Sequence, residues 1–168
     1  MIYGDLCDHN ISKLIKMVDR FKIFPLIAGG NAEIQPVNAR DLGKAYFLVL
    51  NNKERTKNKC YNLSGADKVK IREMLEMIKK EINSKNFFIP IPMWISISTA
   101  YIIKIVSFGK INIVEKVLRM NETRTFTYKE AADDFGYTPS SFKEGLKNEI
   151  GEYLRKKDEK NSNCGNSN

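Results

Sequence analysis

One-sided helical stripes alternate with short β-prone segments along most of this chain, and that alternation limits it to a layered mixture of helix and sheet. Ile11, Leu14, Ile15 and Val18 recur at helical spacing behind Asn10, a capping residue type, and Pro25 stops the helix near Phe21. Residues 24–27 and 33–37 flank Gly29-Gly30-Asn31, a turn composition that predicts a hairpin or tight strand connection. Asn38 followed by Asp41 resembles a capping box, and Leu42, Ala45, Tyr46, Val49 and Leu50 form the apolar stripe of a second helix.

Residues 51–59 are polar and predict a surface loop; residues 60–64 predict a short strand stopped by Gly65. Ile71, Met74, Leu75 and Ile78 mark a third helix. Phe87-Phe88-Ile89 then runs into Pro90-Ile91-Pro92, where proline confines any strand to an edge. Two apolar segments, 94–108 and 111–120, separated by Gly109, predict a helical hairpin. Thr127 with Glu130 and Ser141 with Glu144 supply two capping-box starts, with Gly136 closing the helix between them. The last helix presents Phe142, Leu146, Ile150 and Leu154 on one face. Residues 1–154 thus form one folding unit, and 155–168, rich in Lys, Asn and Ser, a disordered polar tail.

A length of 168 residues and 42% hydrophobic content suit a single core. The formal charge of +8 comes from basic residues interleaved with acids, which argues for a solvated lysine-rich surface and against nucleic acid as partner. Cys7, Cys60 and Cys164 make no CxxC pair and no disulfide framework, which fits a reducing cytoplasm, and the first residues lack the basic and apolar regions of a secretory signal. Asp5, Cys7, Asp8 and His9 are ligand types crowded together, but they lead straight into a capped helix and are read as surface and cap residues. The apolar stretch 93–108 is shorter than the roughly 20 residues of a spanning helix and contains Lys104, so it predicts a buried or interface-lying helix.

Four segments in order resemble extended short-chain dehydrogenases of the NAD-dependent epimerase/dehydratase family. Ile2-Tyr3-Gly4 resembles the end of the family's Arg-Pro-x-x-x-Tyr-Gly stretch. Gln35-Pro36-Val37-Asn38-Ala39-Arg40-Asp41-Leu42-Gly43 is similar to its "hPVyVdDvA" strand-to-helix segment. Tyr61-Asn62-Leu63-Ser64-Gly65 resembles its late "yNlgG" sheet strand, and residues 134–146, from Asp134-Phe135-Gly136-Tyr137-Thr138-Pro139 to Gly145-Leu146, resemble its terminal "lGy-x-P" signature.

The resemblance implies an α/β fold made of a late Rossmann sheet strand plus a mainly helical substrate-binding lobe, with the N-terminal dinucleotide-binding half absent. It places Ile2 and Tyr3 near the nicotinamide of NAD or NADP, and Asn10 and Gln35 near substrate. Arg119 and Arg124 are candidates for an anionic substrate group, since a guanidinium grips phosphate or carboxylate with two hydrogen bonds. Trp94, Tyr101 and Phe108 are expected to line the lobe's pocket or core, with a membrane surface as the alternative.

The departures bear on activity. Gly29-Gly30 is not a phosphate-binding Gly-rich loop at a helix N-terminus. The one Tyr-x-x-x-Lys string, Tyr153 to Lys157, falls at the end of the last helix in a basic run and reads as chance. Ile34 stands where sugar-nucleotide epimerases of the family often carry an arginine, which argues against a nucleotide-sugar substrate. The expectation is a substrate-binding portion that is not catalytic alone and binds no cofactor by itself. A separately encoded Rossmann half would complete a split enzyme; the rival is a non-catalytic binding or structural module of the same fold. The 61–64 strand, lacking central parallel neighbours, would be an aggregation-prone edge.

Overall fold

Buried apolar residues at helical spacing gather three of the helices around one core. The computed structural model describes residues 1–4, 6, 8, 10–108 and 112–165, the last five as backbone only. β1 (Ile2–Tyr3) leads into α1 (Ile11–Arg20), β2 (Ile23–Ile27), a 3-10 turn at Ala28–Gly30, β3 (Glu33–Ile34), β4 (Val37–Asn38) and α2 (Ala39–Asn51). Then come α3 (Lys53–Thr56), β5 (Val69–Lys70), α4 (Ile71–Glu81), β6 (Phe87–Ile91), α5 (Met93–Val106), α6 (Val114–Arg119), α7 (Lys129–Phe135) and α8 (Phe142–Gly165). The chain is α/β and helix-rich, with a small parallel sheet component.

Ile11, Ile15 and Val18 of α1, Met74, Leu75 and Ile78 of α4, and Phe142, Leu146 and Ile150 of α8 pack with Tyr3, Phe24 and Leu26 into the main core. A second cluster joins Ala45 of α2 to Ala131, Phe135 and Tyr137, and a third joins Ala100 of α5 to Val114 and Val117 of α6. The strands form two-stranded ladders: β1 parallel to β4 with Ile2 opposite Val37, β2 parallel to β6 with Ile23 opposite Phe87, and β3 antiparallel to β5 with Glu33 opposite Lys70. Pro25 and Pro90 are tolerated in the β2–β6 ladder because each strand is paired on one side only.

Several expectations are corrected by longer-range contacts. At Gly29-Gly30 the tight strand connection forms, and the hairpin does not. Both glycines do take positive φ, 69° and 68°, but β2 is paired with β6, so β3 leaves to meet β5. Gly30 lies so close to α4 that an added Cβ would stand 3.1 Å from the Cβ of Arg72. Residues 60–64 join no ladder. Side chains take up their polar groups instead: the Tyr137 hydroxyl donates to the Ser64 carbonyl at 3.1 Å, and the Ser64 hydroxyl donates to the Phe126 carbonyl at 2.8 Å. The 51–59 loop contains the single helical turn α3.

Asn10 does not cap α1 with its side chain. The Asp8 carboxylate accepts the N–H of Asn10 at 2.6 Å and that of Ser12 at 3.3 Å, since it lies within one turn of both. The Ser141–Glu144 box is likewise displaced by Asp67, whose Oδ2 accepts the Phe142 N–H at 2.7 Å and the Ser141 hydroxyl at 3.0 Å. Asn38 does cap α2, accepting the Arg40 N–H at 2.9 Å, and Gly136 ends α7 in the left-handed conformation. On α2, Ala45 is buried while Tyr46 and Leu50 are exposed together with Phe47, so the stripe is narrower than its apolar positions predict.

The α5 aromatics also lie outside the core: Trp94 is 70% exposed and Phe108 94%, and on this helix only Ser96 and Ala100 are buried. The helical pair α5 and α6 packs as expected, although Gly109 lies outside the described residues. α8 continues to Gly165, past the expected boundary at Arg155. Ion pairs one turn apart, Glu152 with Lys156 at 2.9 Å and Arg155 with Glu159 at 3.8 Å, support that extension. Among the described residues, no helix is long and apolar enough to cross a membrane.

Candidate functional site

Gln35 is the centre of a network that ties three distant segments together. Its Nε2 donates to the Gly65 carbonyl at 2.7 Å and its Oε1 accepts the Phe126 N–H at 2.9 Å. Next to it, Ile34 forms a parallel bridge with Arg124, whose N–H donates to the Glu33 carbonyl at 2.8 Å. Gly65 backs onto the same strip: an added Cβ there would collide with the Pro36 carbonyl. Both ends of the Gln35 amide are thus committed to the backbone and the residue is buried, which makes it a fastener of the site rather than an open donor.

Arg124 and Arg119 lie on one surface. Arg124 Nη2 donates to the Arg119 carbonyl at 3.4 Å and pairs with Glu122 at 2.9 Å; Arg119 Nη1 lies 3.6 Å from Glu115. The side chains are 45% and 58% exposed, so these pairs are solvent-screened and readily exchanged for another anion. Asn10 adjoins β1, its Nδ2 donating to the Ile2 carbonyl at 3.0 Å. The structure therefore gathers Ile2, Asn10, Gln35 and Arg124 around the β1, β3 and β4 strip, with Arg119 adjoining.

Tyr3 and Ile2 diverge. Ile2 is half exposed, but Tyr3 is 1% exposed and meets the Phe142 ring edge-on at 5.3 Å between centroids. Burial pushes its phenol up to about 12, against the opposing hydrogen bond from Asn38. The Tyr3 ring is therefore sealed from solvent, while Ile2 is not. Of the two turn glycines, Gly30 packs on Arg72 of α4, whereas Gly29 has only the Asn31 side chain beside it.

The Tyr153–Lys157 string has a structural role. The Tyr153 hydroxyl donates to Asp19 Oδ2 at 2.7 Å, and Lys157 Nζ lies 2.6 Å from the same oxygen, so both side chains clamp α8 to α1. Burial and the Asp19 carboxylate push the Tyr153 phenol up to about 12, away from the lowered value that acid-base work requires. Asp8 is the one member of the ligand-type quartet within the described residues; Asp5, Cys7 and His9 lie outside them, and no three His, Cys, Asp or Glu converge among the rest.

Two recesses flank the site. An apolar cleft of about 80 Å³ between Leu14, Leu26, Ile71, Leu75 and Met120 is too small for a sugar, and a polar one of about 180 Å³ lies between Asn38, Asp41, Ser140 and Asn148. Neither is lined by Ile2, Asn10, Gln35, Arg119 or Arg124. Sequence reasoning read Asp41 only as a cap of α2 and did not single out Asp67; their partners lie 99 and 75 positions away and leave no local signal.

No protein-family model and no curated sequence matches the chain. Solved structures do. It is similar to the UDP-glucose 4-epimerase of Thermotoga maritima with UDP-glucose, with TM-score 0.63, 16% identity, and coverage of 93% of this chain and 44% of that one. Against the UDP-glucuronic acid 4-epimerase of Bacillus cereus in complex with UDP-glucuronic acid and NAD, the TM-score is 0.63 at 15% identity, over 91% of this chain and 43% of that one. Against the dTDP-glucose 4,6-dehydratase of Bacillus anthracis in complex with NAD, it is 0.61 at 15% identity, over 92% and 42%. The chain spans less than half the length of these proteins and shares with them the fold of the C-terminal portion of NAD-dependent epimerases and dehydratases.

Proposed function

We propose that this chain is the substrate-side portion of an NAD(P)-dependent epimerase, dehydratase or reductase. The substrate is sugar-like or otherwise polar and carries an anionic group, and an N-terminal Rossmann half, joined upstream or encoded separately, holds the dinucleotide. The observation that carries the reading is the bridge between Ile34 and Arg124. Ile34 stands where the resemblance expects an arginine, and Arg124 supplies a guanidinium from the neighbouring segment, with Arg119 beside it. Two screened guanidiniums on a surface fastened by Gln35 suit a phosphate or carboxylate. In this reading Asn10 and the exposed Ile2 border the substrate and nicotinamide, and the completed cleft lies between the β1 strip and the missing half.

A non-catalytic binding module of the same fold is the second reading, favoured by the full commitment of Gln35 to backbone partners. Amide NMR of the chain titrated with UDP-glucose and with glucose 6-phosphate addresses the substrate side. Shifts concentrated at residues 119–126 and abolished in Arg119→Ala/Arg124→Ala support the proposal. Shifts elsewhere, or unchanged in that variant, would remove the anion site.

A further inference from the structure

The outward face of α5 is apolar and rich in exposed large side chains. At 100° per residue, Trp94, Tyr101, Ile102, Ile105 and Val106 fall within one arc, all exposed, and Phe108 follows at the helix end. The polar residues on the same arc are Ser98 and Thr99. Their hydroxyls donate to the helix's own carbonyls, Ser98 to Trp94 at 2.9 Å and Thr99 to Ile95 at 2.8 Å. No charge lies on this arc and its hydroxyls are internally satisfied, so it can leave water without stranding a donor.

The stretch of sequence that carries it has one dominant sign of charge. Between Phe87 and Met120 the sequence holds Lys104, Lys110, Lys116 and Arg119 against the single acid Glu115, which already pairs with Arg119. Lys104 lies half-buried beside the arc. An apolar face rich in aromatics and bordered by cations matches an anionic bilayer surface: acyl chains accept the apolar residues and phosphate headgroups the ammonium groups. The helix is too short to span, so it would lie in the interfacial plane.

We infer that α5 is a peripheral membrane-docking helix that seats the chain on bilayers containing anionic lipid, with Trp94 and Ile105 entering the acyl boundary. Trp94 is the only tryptophan in the sequence, so its emission reports on this face alone.

The test is Trp94 fluorescence of the full chain with vesicles of phosphatidylcholine, with and without phosphatidylglycerol, and with acyl-brominated lipid as quencher. The inference expects a blue shift and bromine quenching with the anionic vesicles. Ile105→Asp should lower the partition coefficient by about tenfold or more, and Lys116→Glu by about fivefold or more. Far-UV circular dichroism of each variant confirms that the fold is kept, as expected for exposed positions. Three results would overturn the inference: unchanged emission with every vesicle, partitioning indifferent to Ile105→Asp, or a concentration-dependent dimer in which Trp94 is shielded without lipid. The last assigns the face to a second copy of the chain.

Discussion

Asp41 and Ser140 are joined by two hydrogen bonds across 99 positions: Asp41 Oδ2 accepts the Ser140 N–H at 2.8 Å and Oδ1 the Ser140 hydroxyl at 2.9 Å. The carboxylate is 3% exposed at the first turn of α2, so it ties that helix to the approach of α8 and accepts orphan donors where the helix dipole favours an anion. Asp41→Ala leaves the Ser140 N–H without its acceptor and should cost about 2–4 kcal/mol in urea unfolding, whereas Asp41→Asn, which can still accept and donate there, should cost about 1 kcal/mol. Equal losses for the two would show that the carboxylate is not the fastener described.

Gly145 belongs to the contact surface of Tyr3. An added Cβ would collide with the Tyr3 hydroxyl and come within 2.9 Å of its Cε2, and the ring has no room to move because Phe142 meets it edge-on. Gly145→Ala should therefore destabilise by about 1–3 kcal/mol, despite the ordinary gain of alanine over glycine in a helix. Pairing it with Tyr3→Phe, which removes the obstructing oxygen, should recover part of the loss in a double-mutant cycle.

The Asp19 clamp gives a pH signature. Partial burial pushes the Asp19 carboxyl up, and the hydrogen bonds from Lys157 and Tyr153 outweigh it, leaving the group below the usual carboxylate range. A depressed folded pKa means that the stabilisation is complete above the unfolded value of about 3.9 and is lost as pH falls through the folded value. Asp19→Asn should thus be less stable than the parent at pH 7, by less than about 1 kcal/mol for so exposed a pair, and the gap should close below about pH 4. The phenol of Tyr153, at about 12, should rise in ultraviolet titration only at strongly alkaline pH in the parent, and earlier in Asp19→Asn.

Gln35 offers a test of the site's scaffold. In Gln35→Ala the Phe126 N–H and the Gly65 carbonyl both lose their partner, with an expected cost of about 2–3 kcal/mol. Hydrogen exchange at Phe126 should quicken ahead of global unfolding.

The helices were legible because their signals are local. Ile11, Ile15 and Val18, or Met74, Leu75 and Ile78, repeat within two turns and are buried as their spacing requires. Gly136 likewise carries its left-handed conformation in its identity. What remained hidden depends on partners far along the chain. The strand expected at 60–64 is displaced by Tyr137 and Gln35, and the caps expected from Asn10 and Ser141 by Asp8 and Asp67. Of the candidate residues, the resemblance pointed to Ile2 and Gln35, and guanidinium chemistry to Arg124. Neither could anticipate that Tyr3 would be sealed in the core or that Arg124 would sit beside Ile34.

On the proposed reading, this chain supplies a substrate side and depends on another half for the dinucleotide. Thermal unfolding tests it most directly, with and without millimolar NAD⁺ or NADPH, on the chain alone and on a version extended upstream through its own reading frame. The account predicts no ligand-induced shift for the chain alone and a saturable rise in Tm for the extended version. A saturable shift in the chain alone would contradict it, as would an extended version indifferent to both cofactors.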